Sequence, residues 1–88
     1  MDKQSHTPTP LTERSRMLFL EYATDAGNWS GTPMVGGNVG GSKEDRGNLT
    51  QLKKAGLLVT FESDGEIWVS FTAAGRAFAK SFGVTIAS

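Results

Sequence analysis

The chain has no cysteine, which excludes a disulfide framework and a thiolate metal site. It has a single histidine, His6, near the start of the sequence. One imidazole without a partner makes neither a metal centre nor a catalytic pair. No nucleophile stands beside a recognisable base, so the chain is expected not to be an enzyme and to carry no metal and no cofactor. Long apolar runs are also missing. Nothing is long enough to span a membrane, and no signal-peptide core is visible, so a cytoplasmic protein without a membrane partner is the expectation. An excess of one charge is missing too, because nine Lys and Arg balance nine Asp and Glu. Zero net charge counts against a polyanion binder, whose affinity comes largely from neutralising phosphates. Only a local concentration of positive charge would restore that reading. With 88 residues the chain suffices for one small domain with one core, and not for a core plus a deep pocket.

What is present is best defined from Ser42 to Phe71. Ser42 reads as the N-cap of a helix over about Lys43 to Ala55, with Asp45 three residues on to answer it. Gly56 stands where a left-handed residue ends a helix. Leu57–Ser63 and Glu66–Phe71 alternate like strands around Asp64-Gly65, a type I′ hairpin turn. At about 100° per residue, Asp45, Asn48, Leu49, Leu52 and Ala55 share one side of the helix. Leu49 and Leu52 are its large apolar groups, so that side faces a core. Lys43, Arg46, Gly47, Thr50 and Lys54 take the opposite side, with Gln51 at its edge. A basic stripe with a glycine at its centre suits a helix lying in a DNA groove; any solvated helix face can look the same.

Before this stretch, residues 1–8 read as a disordered polar tail. Thr9-Pro10 would open a first helix, with Thr12 as the competing cap, and Gly27-Asn28 would stop it after Asp25 or Ala26. Leu11, Leu18, Tyr22 and Ala26 share a face, with Phe19 beside it. Six of the eleven glycines fall between Gly27 and Gly41. Thr32-Pro33 either caps one helical turn through Val35, or Trp29–Val35 forms a short edge strand. Gly36 and Gly41 have the spacing of a phosphate-binding loop. The following Ser42-Lys43 reverses the order that motif needs, and no strand is clearly placed before it. A nucleotide site is therefore not expected, whereas a contact between this glycine-rich backbone and a nucleic-acid phosphate stays open.

In the hairpin, Leu58, Ile67, Val69 and Phe71 share the face expected to meet the core. Val59, Phe61 and Trp68 share the other, as an aromatic cross-strand pair or a contact surface. Thr72 caps a last helix to about Phe82, with Ala74, Phe78 and Phe82 as its buried stripe. Val84–Ser88 is a tail or a short final strand. The expected core is Leu11, Leu18, Tyr22, Leu49, Leu52, Leu58, Val69, Phe71 and Phe78.

Asn48-Leu49-Thr50-Gln51-Leu52-Lys53-Lys54-Ala55-Gly56-Leu57-Leu58, a hairpin, and then Phe71-Thr72-Ala73-Ala74-Gly75-Arg76-Ala77-Phe78 resemble winged helix-turn-helix proteins. The likeness is to small bacterial and phage regulators of the multiple-antibiotic-resistance repressor type. It covers about Ser42 to Phe78. It implies an α+β fold over residues 9–83, a three-helix core with a two-stranded β-hairpin wing. Ser42–Ala55 would be the recognition helix and Leu57–Phe71 the wing. Two departures stand out. The second helix is short or missing, and the wing tip carries Glu62, Asp64 and Glu66 where a base would suit phosphate.

Two functions follow from the resemblance. In the first, a transcriptional regulator binds double-stranded DNA through Ser42, Lys43, Arg46, Thr50, Gln51 and Lys54. Arg14 or Arg16 could add phosphate contacts, and a homodimer would raise the affinity. In the second, the same fold is a protein-interaction module, such as a phage-type protein that binds and inhibits a host enzyme. Its interface would be Phe61, Asp64, Glu66 and Trp68, since aromatics are enriched where interfaces are buried.

Overall fold

Three hydroxyl side chains decide where the helices begin in the computed structural model, which describes residues 11–86. Thr12, Ser42 and Thr72 each accept from the backbone N–H three residues on, at 3.0 Å. Each bond satisfies a donor that the first helical turn would leave unpaired. The helices are α1, Glu13–Asp25, α2, Lys43–Lys54, and α3, Ala73–Lys80. Thr12, the competing cap, starts α1, whereas Thr9 lies outside the described residues, as do residues 1–8. A short 3₁₀ turn, Ala26–Asn28, ends α1, and no helix separates it from α2.

Strands β1, Leu58–Ser63, and β2, Glu66–Phe71, form the antiparallel hairpin with Ser63 opposite Glu66, Phe61 opposite Trp68, and Leu58 opposite Phe71. Asp64 at φ 55° and Gly65 at φ 79° supply the two left-handed positions of a type I′ turn, whose twist matches the strands. The other edge of β2 is occupied by the segment around Met34. The Val35 N–H donates to the Ile67 carbonyl and the Val69 N–H to the Pro33 carbonyl, both at 2.8 Å. Of the two readings of Thr32–Val35, the edge strand is the one formed, reduced to a single bridge. Proline is tolerated there because its carbonyl accepts and no N–H is required.

The core joins Leu18, Phe19, Tyr22, Ala23 and Ala26 of the first helix and its turn to Leu49 and Leu52 of α2. Leu57, Leu58, Val69 and Phe71 come from the hairpin region, Ala79 from α3 and Ile86 from the C-terminal segment. Phe19 stands edge-to-face with Phe71 at 5.7 Å and with Phe78 at 5.3 Å, arrangements favoured by the ring quadrupole.

Three sequence expectations need correction. The buried residues of α3 are Gly75 and Ala79, while Ala74 and Phe82 are exposed and Phe78 is half-buried. The reason is close backbone approach: a Cβ on Gly75 would overlap the Leu57 carbonyl. Small residues therefore make the closest contact with the core, and of the expected stripe only Phe78 reaches it, at its edge against Phe19. The helix is stitched there by Thr72, whose hydroxyl donates to the Gly56 carbonyl at 2.6 Å and whose N–H donates to the Leu57 carbonyl at 3.2 Å. Ile67 has the expected facing but is 41% exposed, because it sits toward the hairpin tip, beyond the reach of the core. Leu11 is only half-buried, since it precedes the helix. The segment after Gly83 forms no strand among the described residues, yet Ile86 returns to the core. No helix of the described residues is long and apolar enough to cross a membrane.

Candidate nucleic-acid interface

The solvent side of α2 carries Lys43, Arg46, Gly47, Thr50, Lys53 and Lys54, all exposed, with Glu44 among them. The opposite side is fixed by Leu49 and Leu52 in the core and by Asp45, which is 8% exposed. Arg14 of α1 grips Asp45 with two nitrogens, at 2.8 and 3.1 Å. That bidentate bond holds the Asp45 carboxyl below its usual range, against the opposing effect of burial, with help from Asn48. A forked arginine–carboxylate pair fixes geometry as well as charge, so it sets the rotation of α2 on α1. Arg14 is thereby committed within the protein, and of the two arginines proposed for phosphate contacts only Arg16 stands exposed without that engagement.

The structure keeps Lys43, Arg46, Thr50 and Lys54 together on one exposed face. It removes Gln51 from that set. The Gln51 Oε1 accepts from the Ser15 hydroxyl at 2.8 Å and from the Thr12 N–H at 3.4 Å. Ser15 is fully buried against α2, and a buried hydroxyl requires a partner. Gln51 and Asn48 provide it, so Gln51 turns inward. Ser42 contributes its hydroxyl to the cap, and the Thr50 hydroxyl donates to the Arg46 carbonyl at 3.0 Å.

Gly47 is the unusual member of this face. A Cβ built there meets nothing within 4 Å, and its φ is not in the left-handed region. Glycine in a helix interior costs about 1 kcal/mol relative to alanine, and no packing within the described residues requires it. Glycine is otherwise used where a second surface must approach the backbone closely.

The glycine-rich segment is packed around α1. Asp25, 6% exposed, is its anchor. It accepts from Trp29 Nε1 at 2.7 Å, Asn28 Nδ2 at 2.8 Å and Asn38 Nδ2 at 2.9 Å. Burial pushes this carboxyl up, but the three donors outweigh it and hold it below its ordinary range. Gly40 lies on the Tyr22 hydroxyl so closely that a Cβ would overlap it, and one on Gly41 would come within 2.8 Å of the Gly36 Cα. Burial, with the nearby charges of Asp45, Asp25 and Glu21, pushes Tyr22 up to about 12. An open cleft of about 580 Å³ lies between this segment and α1, and it is lined by Glu21, Asp25 and Asp45 against Arg14. Three carboxylates against one guanidinium disfavour a phosphate there, so the glycines serve packing. Among the described residues no cluster of metal-ligating side chains occurs.

At the hairpin tip Glu62, Asp64 and Glu66 are exposed, and Phe61 is 43% exposed. Trp68 is half-buried, packed edge-to-face on Trp29 at 5.6 Å with its Nε1 donating to the Ser63 carbonyl at 3.0 Å. The proposed protein-contact set is thus split: Phe61, Asp64 and Glu66 are free at the surface, and Trp68 is held within the fold. Sequence reasoning missed Asp25 and Ser15. The apolar-helix pattern hid both, and the only available signal was a polar residue on the face shared with core side chains. No protein-family model, no curated protein and no solved structure matches the chain.

Proposed function

We propose that the chain is a small winged-helix DNA-binding protein, a transcriptional regulator type, that lays the exposed side of α2 along double-stranded DNA. The observation that carries the reading is Gly47 at the centre of Lys43, Arg46, Thr50 and Lys54. The fold gains nothing from that glycine, whereas a DNA backbone or base edge gains room to approach. Lys43, Arg46, Lys53 and Lys54 supply the local positive charge that a chain of zero net charge otherwise lacks. Glu62, Asp64 and Glu66 at the hairpin tip oppose phosphate, so this wing stands off the duplex and α2 carries the contact. With Gln51 turned inward, base reading falls to Arg46 and to the Thr50 methyl, which suits a thymine methyl. A homodimer would double the contact and read two half-sites.

Fluorescence anisotropy with a labelled random duplex at two salt concentrations tests this. The parent should bind in a salt-dependent way. Replacing Lys43, Arg46 and Lys54 with Ala should weaken binding and flatten the log–log salt slope by about 0.9 per lost phosphate contact. Gly47→Ala should stabilise the fold by roughly 0.5–1 kcal/mol while weakening DNA binding. A folded triple variant that binds DNA as well as the parent ends the proposal.

A further inference from the structure

The outer edge of β1, which no strand among the described residues pairs, is the surface that the DNA reading leaves unused. Which backbone groups face it follows from the bonds on the other side of the hairpin. Ile67 and Val69 of β2 direct their carbonyl and N–H to the segment at Pro33–Val35. Strand alternation then turns Glu66, Trp68 and Ser70 toward β1. Their partners Ser63, Phe61 and Val59 point back at β2. Leu58, Thr60 and Glu62 accordingly direct their N–H and carbonyl groups outward, and no backbone bond of the described residues reaches Thr60 or Glu62 from that side.

Soluble proteins usually protect such an edge with lysine, proline, a bulge or a very short strand. β1 has none of these: it runs six residues in continuous register, without lysine or proline. It also leaves apolar surface beside the open edge, with Val59 52% and Phe61 43% exposed on one face. On the other face Glu62 is exposed; Asp64 follows in the turn, and Glu66, opposite Ser63, lies at the tip on the Phe61 face. Edge, apolar face and acidic face together define an occupant by its chemistry. An added strand satisfies the outward backbone groups; its alternate side chains meet Val59 and Phe61 on one face and Glu62 on the other.

We infer that the outer edge of β1 is a docking site for an extended segment of a partner protein that alternates apolar and basic residues, added to the sheet beside Thr60 and Glu62. Charge complementarity selects this occupant. A second copy would bring its own Glu62 and hairpin acids to the same edge, whereas a basic strand is attracted to them. The site is separate from α2, so it stands or falls independently of the DNA reading.

The probe is a capped heptapeptide of alternating lysine and valine, titrated into the ¹⁵N-labelled full chain, with the glutamate–valine analogue as the control. Binding of the basic peptide should shift the Thr60 and Glu62 amides and slow their hydrogen exchange, while the acidic analogue binds at least about tenfold more weakly. Thr60→Pro removes an outward N–H without touching the bonds to β2 and should reduce peptide affinity about tenfold or more. Should that variant fail to fold by circular dichroism, the doubly substituted Glu62→Lys, Glu66→Lys protein changes only exposed strand side chains and leaves the turn residues intact, and it should lose affinity to a similar extent. Equal binding of the two peptides overturns the inference, as do shifts confined to residues outside β1, or no binding at millimolar peptide. So does a concentration-dependent dimer of the protein alone, seen by sedimentation with Thr60 and Glu62 amides protected, because a second copy would then own the edge.

Discussion

Asp25→Asn isolates the charge that organises the glycine-rich segment, because the side chain keeps its size. In the parent, one carboxylate oxygen accepts from Asn28 and Asn38 and the other from Trp29. An amide at the same place offers one acceptor and one NH₂. If its oxygen stays with the two asparagines, its NH₂ confronts the Trp29 N–H; the flipped orientation opposes two donors and is worse. The better orientation loses one charge-assisted bond, worth about 1.5–3 kcal/mol, and weakens two more. Asn28 and Asn38 are exposed and can turn to water, so their share is small, whereas Trp29 is half-buried against Trp68. The neutral side chain also escapes the penalty of burying a charge. These opposing effects leave a loss of about 2 kcal/mol, a large share of a small domain's stability.

Urea unfolding followed by tryptophan fluorescence should place the variant's midpoint about 2 M lower, for a slope of about 1 kcal/mol/M. Asp25 is held below its ordinary value of 3.8 in the folded protein, so the unfolded chain takes up its proton first as pH falls. The difference between parent and variant should therefore be full at neutral pH and shrink as pH drops through and below the unfolded value. A midpoint shift under about 0.3 M, or a gap that persists unchanged at low pH, would refute the assignment of Asp25 as the anchor.

Three further measurements probe other parts of the fold. Leu52→Ala empties a fully buried position and should cost about 2–5 kcal/mol in chemical denaturation; a loss well under 1 kcal/mol contradicts the packing of α2. Gly75→Ala should be strongly destabilising for the smallest possible change, because its Cβ overlaps the Leu57 carbonyl, whereas Ala74→Gly on the exposed side should cost only about the 1 kcal/mol of helix propensity. Tyr22 is the chain's one tyrosine, so the tyrosinate absorbance reports it alone. Its midpoint in the folded protein should be raised to about 12, and a midpoint near 10 would mean that the ring is not buried against Gly40.

The local elements were legible because their signals are local. Thr12, Ser42 and Thr72 cap helices by reaching three residues along the chain. Asp64-Gly65 fixes the turn, and the turn length fixes every pairing in the hairpin. Leu49 and Leu52 set the inner face of α2, and Lys43, Arg46, Thr50 and Lys54 follow on the outer one. Tertiary contacts decided the rest, because they join residues whose separation in sequence carries no periodic signal. Asp25 gathers Asn28, Trp29 and Asn38, the last from 13 positions away. Ser15 claims Gln51 across 36 positions and takes it out of the candidate interface. Leu57 reaches Gly75 and sets the rotation of α3 that leaves Ala74 and Phe82 exposed and Phe78 at the core's edge. Hydrophobic spacing favours burying the larger side chains of α3, but the close approach of the Leu57 carbonyl admits only glycine at position 75. Steric exclusion at that one point therefore outweighs the apolar pattern of the helix.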